Sequence, residues 1–230
     1  KIVEFINENN DERPFALSVS FKSPHSEDGD PRQFIPHPRY AELYDDATIP
    51  APATAQGNYL DLLPECLRDE NNIARERWHL RFATPEQYQH SVKNYYRLIT
   101  GVDDVVGKLR KQLTERGLAD NTVIVFMGDN GFYLGEHGLA GKWFGHEESI
   151  RVPLIIYDPR MPVHHTRKVI ESIALNIDVA PTLLGFAKIP PPAETQGTDL
   201  MKAIYDPGFF RYDFFYEHRF LGSPKLPITE

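Results

Sequence analysis

The chain has 230 residues, of which 41% are hydrophobic, 12% aromatic and 25% charged, enough apolar length for one large core. A net charge of −8 excludes a general nucleic-acid binder, which carries a basic excess, and means that any anion site rests on local positive charge. The single cysteine, Cys66, excludes an internal disulfide or a multi-cysteine metal site, and no apolar run reaches the roughly 20 residues of a membrane helix.

The chain opens at Lys1 without a methionine or a signal-peptide pattern. Residues 2–5 read as the tail of a helix already under way, so the expectation is a chain that starts inside a longer protein. Residues 15–21, FALSVSF, read as a buried strand closed by Ser23-Pro24. From residue 23 to about 84 prolines break the pattern, with short helices expected near 39–44 and 58–67. So long an irregular connection suits the lining of a cleft. Thr84, Pro85 and Glu86 then form a helix start, and Val92, Tyr95, Ile99, Val102, Val106, Leu109 and Leu113 recur at threes and fours. This predicts a long amphipathic helix that stops near Gly117. Strands at 122–127 and 153–157 follow, then a helix at 177–187 that tolerates Pro181 in its first turn. The order points to an α/β architecture. Alternating aromatics at 209–220 predict the opening of a small antiparallel piece.

Between the last two strands lies GDNGFYLGEHGLAGKWFGHEES, residues 128–149, with six glycines, two histidines and a lysine. Asp129-Asn130-Gly131 has two readings. Asn-Gly is a favoured hairpin turn. Equally, carboxylate and amide oxygens just past a strand end suit a hard cation such as Ca²⁺ or Mg²⁺. Two ligands are too few for Ca²⁺, so others come from elsewhere. Lys142, between Gly141 and Trp143, is either a solvated charge or an ammonium gripping a sulfate or phosphate oxygen. His137 is either structural or a ligand for the anion. His25 also follows a strand, and it reads either as a loop residue or as a proton donor to a leaving oxygen. In Arg75-Glu76-Arg77-Trp78-His79 the aromatic is either a platform for a sugar or the anchor of an exposed helix. No HExxH, P-loop, dinucleotide fingerprint, EF-hand loop or G-x-S-x-G elbow occurs.

The stretches PFALSVSFKSPH (14–25), YYRLITGVDDVVGKLRKQL (95–113), NTVIVFMGDNGFYLGEHGLAGKWFGHEESIRVPLIIYDP (121–159), NIDVAPTLLGFAKI (176–189) and FFYEHRF (214–220) together resemble the type I, formylglycine-dependent sulfatases of the alkaline phosphatase-like superfamily. The resemblance covers nearly the whole chain and is weakest over 28–83. It implies an α/β/α sandwich with a mainly parallel sheet over 1–205, an irregular substrate-side insertion at 28–83 within it, and the start of a small antiparallel subdomain at 206–230. It implies Asp129 and Asn130 as ligands of a divalent cation, usually calcium. Lys142 becomes a sulfate contact, and His25 a general acid or sulfate ligand. His137 is kept as a substrate-binding candidate. Tyrosine often stands where His146 is found, and that residue receives no role.

One departure is decisive. The family takes its nucleophile from a cysteine or serine in a C-x-P-x-R-like motif, converted to formylglycine. Cys66 reads Cys-Leu-Arg-Asp-Glu, and no such motif occurs. The expectation is therefore the C-terminal part of a sulfatase, inactive alone, with formylglycine and the remaining metal ligands in an N-terminal region. The implied substrate is a sulfated small molecule or glycan, and the implied location periplasmic or secreted. Two rivals stand beside it: a phosphomono- or phosphodiesterase of the same superfamily, and a non-catalytic binding module.

Overall fold

The structure, a computed structural model, describes residues 1–8, 13–165, 169–206 and 208–217. These fall into two units, one from Lys1 to Pro159 and one from Arg160 onward. In the first unit, helix α1 (Ile2–Glu8) buries Ile6, and its Asn7 Oδ1 accepts a hydrogen bond from Gln112 Nε2 at 2.8 Å. The stretch at 15–21 does not form the predicted buried strand. It has no ladder partner among the described residues, and Leu17 and Phe21 are exposed. Extended backbone becomes a strand only where a neighbour takes up its N–H and C=O groups.

Residues 28–72 are irregular as expected, with 3₁₀ turns at Pro38–Tyr40 and Tyr59–Leu62 and a single-turn helix α2 (Glu65–Arg68). The predicted irregular stretch does not run on to 83, however. It ends in a nine-residue helix, α3 (Ile73–Arg81), whose first turn is capped by Asn72 Oδ1 accepting from Ala74 N at 2.9 Å.

The long helix α4 (Pro85–Glu115) starts where its pattern predicts. Thr84 Oγ1 accepts from Gln87 N at 3.2 Å while Gln87 Oε1 accepts from Thr84 N at 3.1 Å, a reciprocal capping box. Gly117, at φ 67°, ends it, with Leu118 N returning to Leu113 O. Val92, Val102 and Leu113 are buried as predicted. Ile99 is exposed, and Leu98 takes its place in the core.

Four short strands follow: β1 (Ile124–Met127), β2 (Tyr133–Leu134), β3 (Ala140–Gly141) and β4 (Leu154–Tyr157), with the single-turn helix α5 (Glu147–Ile150) before the last. β1 pairs with β4 and β2 with β3, and both ladders are antiparallel. The mainly parallel sheet implied by the resemblance is therefore absent from the described ladders. Residues 128–153 leave β1 and come back beside it, which makes the return antiparallel. A parallel neighbour needs a crossover, and 15–21, which α4 separates from β1, makes no such pairing. The hairpin turn lies at 135–139 rather than at Asn130-Gly131.

The core of this unit sits between α3, α4 and the glycine-rich hairpin. Phe82, Tyr88, Val92 and Ala140 pack with Trp78, Phe132 and Leu134, and Ala74, Tyr133 and Leu139 pack with Trp143 and Phe144. Close approach explains why glycine is needed here. Gly131 N donates to Ser149 O at 2.7 Å, and a Cβ at that position would lie 2.2 Å from Glu148 O. At Gly138, φ is +70° and the Arg75 guanidinium occupies the space a Cβ would enter.

In the second unit, a 3₁₀ turn (Asn176–Asp178) leads into α6 (Val179–Phe186), as predicted for 177–187, and α7 (Lys202–Tyr205) is one turn. Asp178, fully buried, accepts from Leu175 N and Thr198 N at 2.8 Å each and from Arg211 Nη1 and Nη2 at 2.5 and 3.0 Å. Arg211 N also donates to Ser172 Oγ. Arg211 thereby fastens the segment after α7 to the turn before α6 within the second unit. The antiparallel piece expected at 209–220 makes no ladder over 209–217. Positions 218–220, like 207 and the rest of 218–230, lie outside the described residues.

Two outcomes are expected. Gly131→Ala places a methyl group against backbone and should lower stability by about 2 kcal/mol or more, read by thermal unfolding. At Asp178 burial opposes the charge, but the bonds from Arg211, Thr198 and Leu175 outweigh it and hold the carboxyl below its usual range. A carboxylate lowered in this way stabilises the fold above its unfolded value, near about 4, and loses that contribution as pH falls through the folded value. Amide protection in α6, corrected for intrinsic exchange, should therefore weaken as pH drops below about 4. Asp178→Asn should remove that acid limb and destabilise the unit by roughly 3 kcal/mol at neutral pH.

Candidate active site

His25 stands in the turn after Ser23–Pro24, whose peptide bond is cis. Its Nδ1 lies 2.7 Å from Ser26 O. A carbonyl only accepts, so Nδ1 carries the hydrogen and Nε2, exposed, makes no hydrogen bond among the described residues. Ser26 itself is buried. Its hydroxyl donates to Asp28 Oδ1 at 3.3 Å and accepts from Arg81 Nη2 at 3.0 Å.

Arg81, at the C-terminal end of α3, is only 1% exposed. Nε donates to Gln33 Oε1 at 2.9 Å, and Cζ lies 5.6 Å from the Phe34 ring centre and 5.8 Å from that of Phe132. Nη1 is buried without a hydrogen-bond partner among the described residues. Burial, with Arg77 adding and Asp28 opposing, pushes the guanidinium down to about 10, so it stays charged at neutral pH. One turn earlier, Arg77 Nη2 is 3.4 Å from Asp28 Oδ2, and its Cζ lies 5.3 Å from the Trp143 ring centre. The i, i+4 pair of arginines therefore ties the His25 turn to both ends of the glycine-rich stretch: to Phe132, two residues after Asn130, and to Trp143, next to Lys142.

Asp129 and Asn130 leave β1 at the strand's carboxyl end. Asn130 Nδ2 donates to Gly131 O at 2.7 Å, which aims the amide and keeps Oδ1 as an acceptor. Asp129 is exposed and makes no hydrogen bond among the described residues, and its negative charge reaches Tyr95. That hydroxyl is raised first by burial, then by Tyr96 and Asp129. Tyr95 stacks on Phe132 at 5.8 Å. Lys142 directly follows β3, half-buried, with no ion pair or hydrogen bond among the described residues. The chemistry of the two oxygen donors fits a hard cation. No group of three or more His, Cys, Asp or Glu side chains that could hold a metal ion occurs among the described residues, and two donors are short of the six to eight oxygens of a Ca²⁺ shell.

His137 sits in the left-handed region at φ 57°, and its Nε2 is 3.1 Å from Glu148 Oε1. His146 Nδ1 shares a 2.6 Å hydrogen bond with the Tyr133 hydroxyl, and its ring lies 5.2 Å from that of His137. Burial, then the His137 charge, lowers the His146 imidazole. Trp78 does not stand out as a sugar platform. It packs against the core beneath the Arg75 guanidinium, 4.6 Å from its ring centre, and Arg75 bonds Gly138 O and Glu70. Sequence reasoning took Arg77 only as a cation beside Trp78 and missed Ser26, Arg81 and Phe132. The one available signal was the spacing of 77 and 81, which places both arginines on one helical face.

With this geometry in hand, comparison with known proteins is informative. The model of the Sulfatase family matches residues 1–189. An N-acetylglucosamine-6-O-sulfatase of Bacteroides thetaiotaomicron is 27% identical over 90% of this chain and 45% of its own length. A solved structure in complex with its substrate D-glucosamine-2-N,6-O-disulfate superposes with a TM-score of 0.77 at 26% identity, covering 98% of this chain and 56% of that one. A phosphonate monoester hydrolase from Silicibacter pomeroyi gives 0.66 at 26% identity, over 79% of this chain and 35% of that one. The chain spans about half the length of the curated relatives it matches. Its fold is alkaline phosphatase-like, and the chain belongs to the sulfatase family.

Proposed function

We propose that the whole protein hydrolyses carbohydrate sulfate esters outside the cytoplasm, and that these 230 residues supply the leaving-group side of the site and part of its metal shell. The observation that carries this reading is a set of unengaged groups. Among the described residues Lys142 has no ion pair and the Nε2 of His25 no hydrogen bond, Asp129 and Asn130 offer oxygens from the Lys142 loop, and α3 links that loop to His25. A sulfate ester group, a tetrahedral monoanion, entering a chain of net charge −8 needs local cations.

In this scheme Asp129 and Asn130 would hold Ca²⁺, with Mg²⁺ as the alternative, and the cation would supply positive charge to polarise sulfate oxygens. Lys142 holds a sulfate oxygen and offsets the negative charge of the transferring group. Protonated His25 gives its Nε2 proton to the bridging ester oxygen as the S–O bond breaks, so the sugar leaves as an alcohol rather than an alkoxide. The nucleophile in this reading is a formylglycine hydrate from a segment outside these 230 residues; Cys66, on the single-turn helix α2, lacks the motif. His137, engaged by Glu148, serves the loop rather than the anion. The sulfated-glucosamine complex of the structural neighbour and the name of the Bacteroides relative support a sulfated glycan as substrate. Likeness to a phosphonate hydrolase at similar identity keeps phosphoryl-ester chemistry as the second reading.

Assays of the whole protein on paired sulfate, phosphate and phosphonate esters should favour sulfate, and a preference for either phosphorus ester would overturn the assignment. Lys142→Ala should lower kcat by about 10²–10³-fold. Chelation should abolish turnover and added Ca²⁺ restore it. Asp129→Ala should raise the Ca²⁺ concentration needed for that recovery.

A further inference from the structure

The residues that touch the anion under this reading do not explain why α3 buries a charged side chain beside them. Arg81 is almost wholly enclosed, and its guanidinium spends two of its three nitrogens on side chains from the turn just after His25: Nε on Gln33 and Nη2 on Ser26. Both aromatic contacts, Phe34 and Phe132, press on the same group. Taking an arginine out of water is costly, and a fold keeps one there when its forked donors hold something in place.

Ser26 is what it holds. The residue is buried, its hydroxyl lies between Arg81 and Asp28, and its carbonyl receives His25 Nδ1–H. That last bond fixes the tautomer and the ring plane, and therefore the direction of Nε2. A shift of 1 Å at a proton donor is enough to cost a large factor in rate.

We propose that Arg81 is a positioning residue for the His25 general acid, clamping Ser26 so that the Ser26 carbonyl aims the imidazole at the leaving oxygen. The inference rests on the role given to His25 above. Arg81 itself meets neither sulfate nor cation. During turnover the ester S–O bond breaks as an oxygen of the nucleophile named above bonds to sulfur; the broken bond's pair stays on the bridging oxygen, which takes the proton of His25 Nε2, and Nδ1–H stays on Ser26 O throughout.

The test is a leaving-group split in the whole protein. An alkyl or sugar sulfate needs proton donation, whereas nitrophenyl sulfate releases a stable phenolate and needs it far less. Ser26→Ala and Arg81→Met should each lower kcat on the alkyl ester by about tenfold or more, against less than about threefold on the aryl ester. Arg81→Lys, which keeps the charge and loses the fork, should recover only part of the loss. The double variant should be little worse than Arg81→Met, as for groups that act as a unit. Equal losses on both esters, or no loss on either, would overturn the proposal. Thermal unfolding accompanies each variant, and if Arg81→Met does not fold, the split in Ser26→Ala decides. His25→Ala separates the two levels. Without a split there, the general-acid reading of His25 fails. With a split there and none in the Ser26 and Arg81 variants, the clamp alone fails.

Discussion

A guanidinium buried at the end of a nine-residue helix orders the described core around the candidate site. Arg81 cannot be left dry and uncompensated, since an isolated charge in a protein interior costs several kcal/mol. Gln33, Ser26, Asp28 and two aromatic faces are therefore drawn round it. Those groups come from two distant parts of the sequence, the turn after Pro24 and the loop after β1. Satisfying one cation thus registers two loops that share no ladder. Arg77 repeats the device one turn away, between Asp28 and Trp143.

This arrangement also places positive charge in an acidic molecule without giving it all to the ligand. Arg75, Arg77 and Arg81 are engaged with carboxylates, carbonyls and rings, while Lys142 is half-buried and makes no ion pair among the described residues. Forked, planar donors suit a fixed frame with several acceptors, and a compact ammonium suits a single oxygen of an incoming anion. The division of labour between the two kinds of cation follows from their shapes. It also accounts for the crowding of glycines in 128–149. Arginine, tryptophan and the α5 carbonyls approach the loop so closely at 131, 138 and 141 that a side chain would collide with them.

Much of this was legible in the sequence, and what was not has physical causes. α4 declared itself through period, cap and stop because its burial and its hydrogen bonds are local. β1 and the position of Asp129 just beyond it were equally plain. α3 was not, because the helix buries Ala74, Arg75 and Arg81 rather than an apolar stripe, and periodicity of hydrophobic residues has nothing to report there. Trp78 had two readings in the sequence, sugar platform or helix anchor, and an aromatic among charges cannot be told apart from an exposed one until Arg75 and Arg81 prove to be internal. Residues 15–21 carried a strand's composition, but a strand is a relation between two segments, and only one of them is visible in a local pattern. The motif resemblance named Asp129, Asn130, Lys142 and His25. Ser26 and Arg81, hydrogen-bonded to each other behind His25, have no motif of their own.

The same seven residues have a further consequence for handling the polypeptide. FALSVSF contains no charge and no proline, mixes aromatic with aliphatic and hydroxyl side chains, and finds no ladder partner among the described residues. Such a window is the kind that stacks in register with copies of itself into dry, interdigitated fibrils. Produced as an isolated 230-residue polypeptide, the chain carries in this segment a seed for self-association, which a lysine on one of its outward positions would blunt.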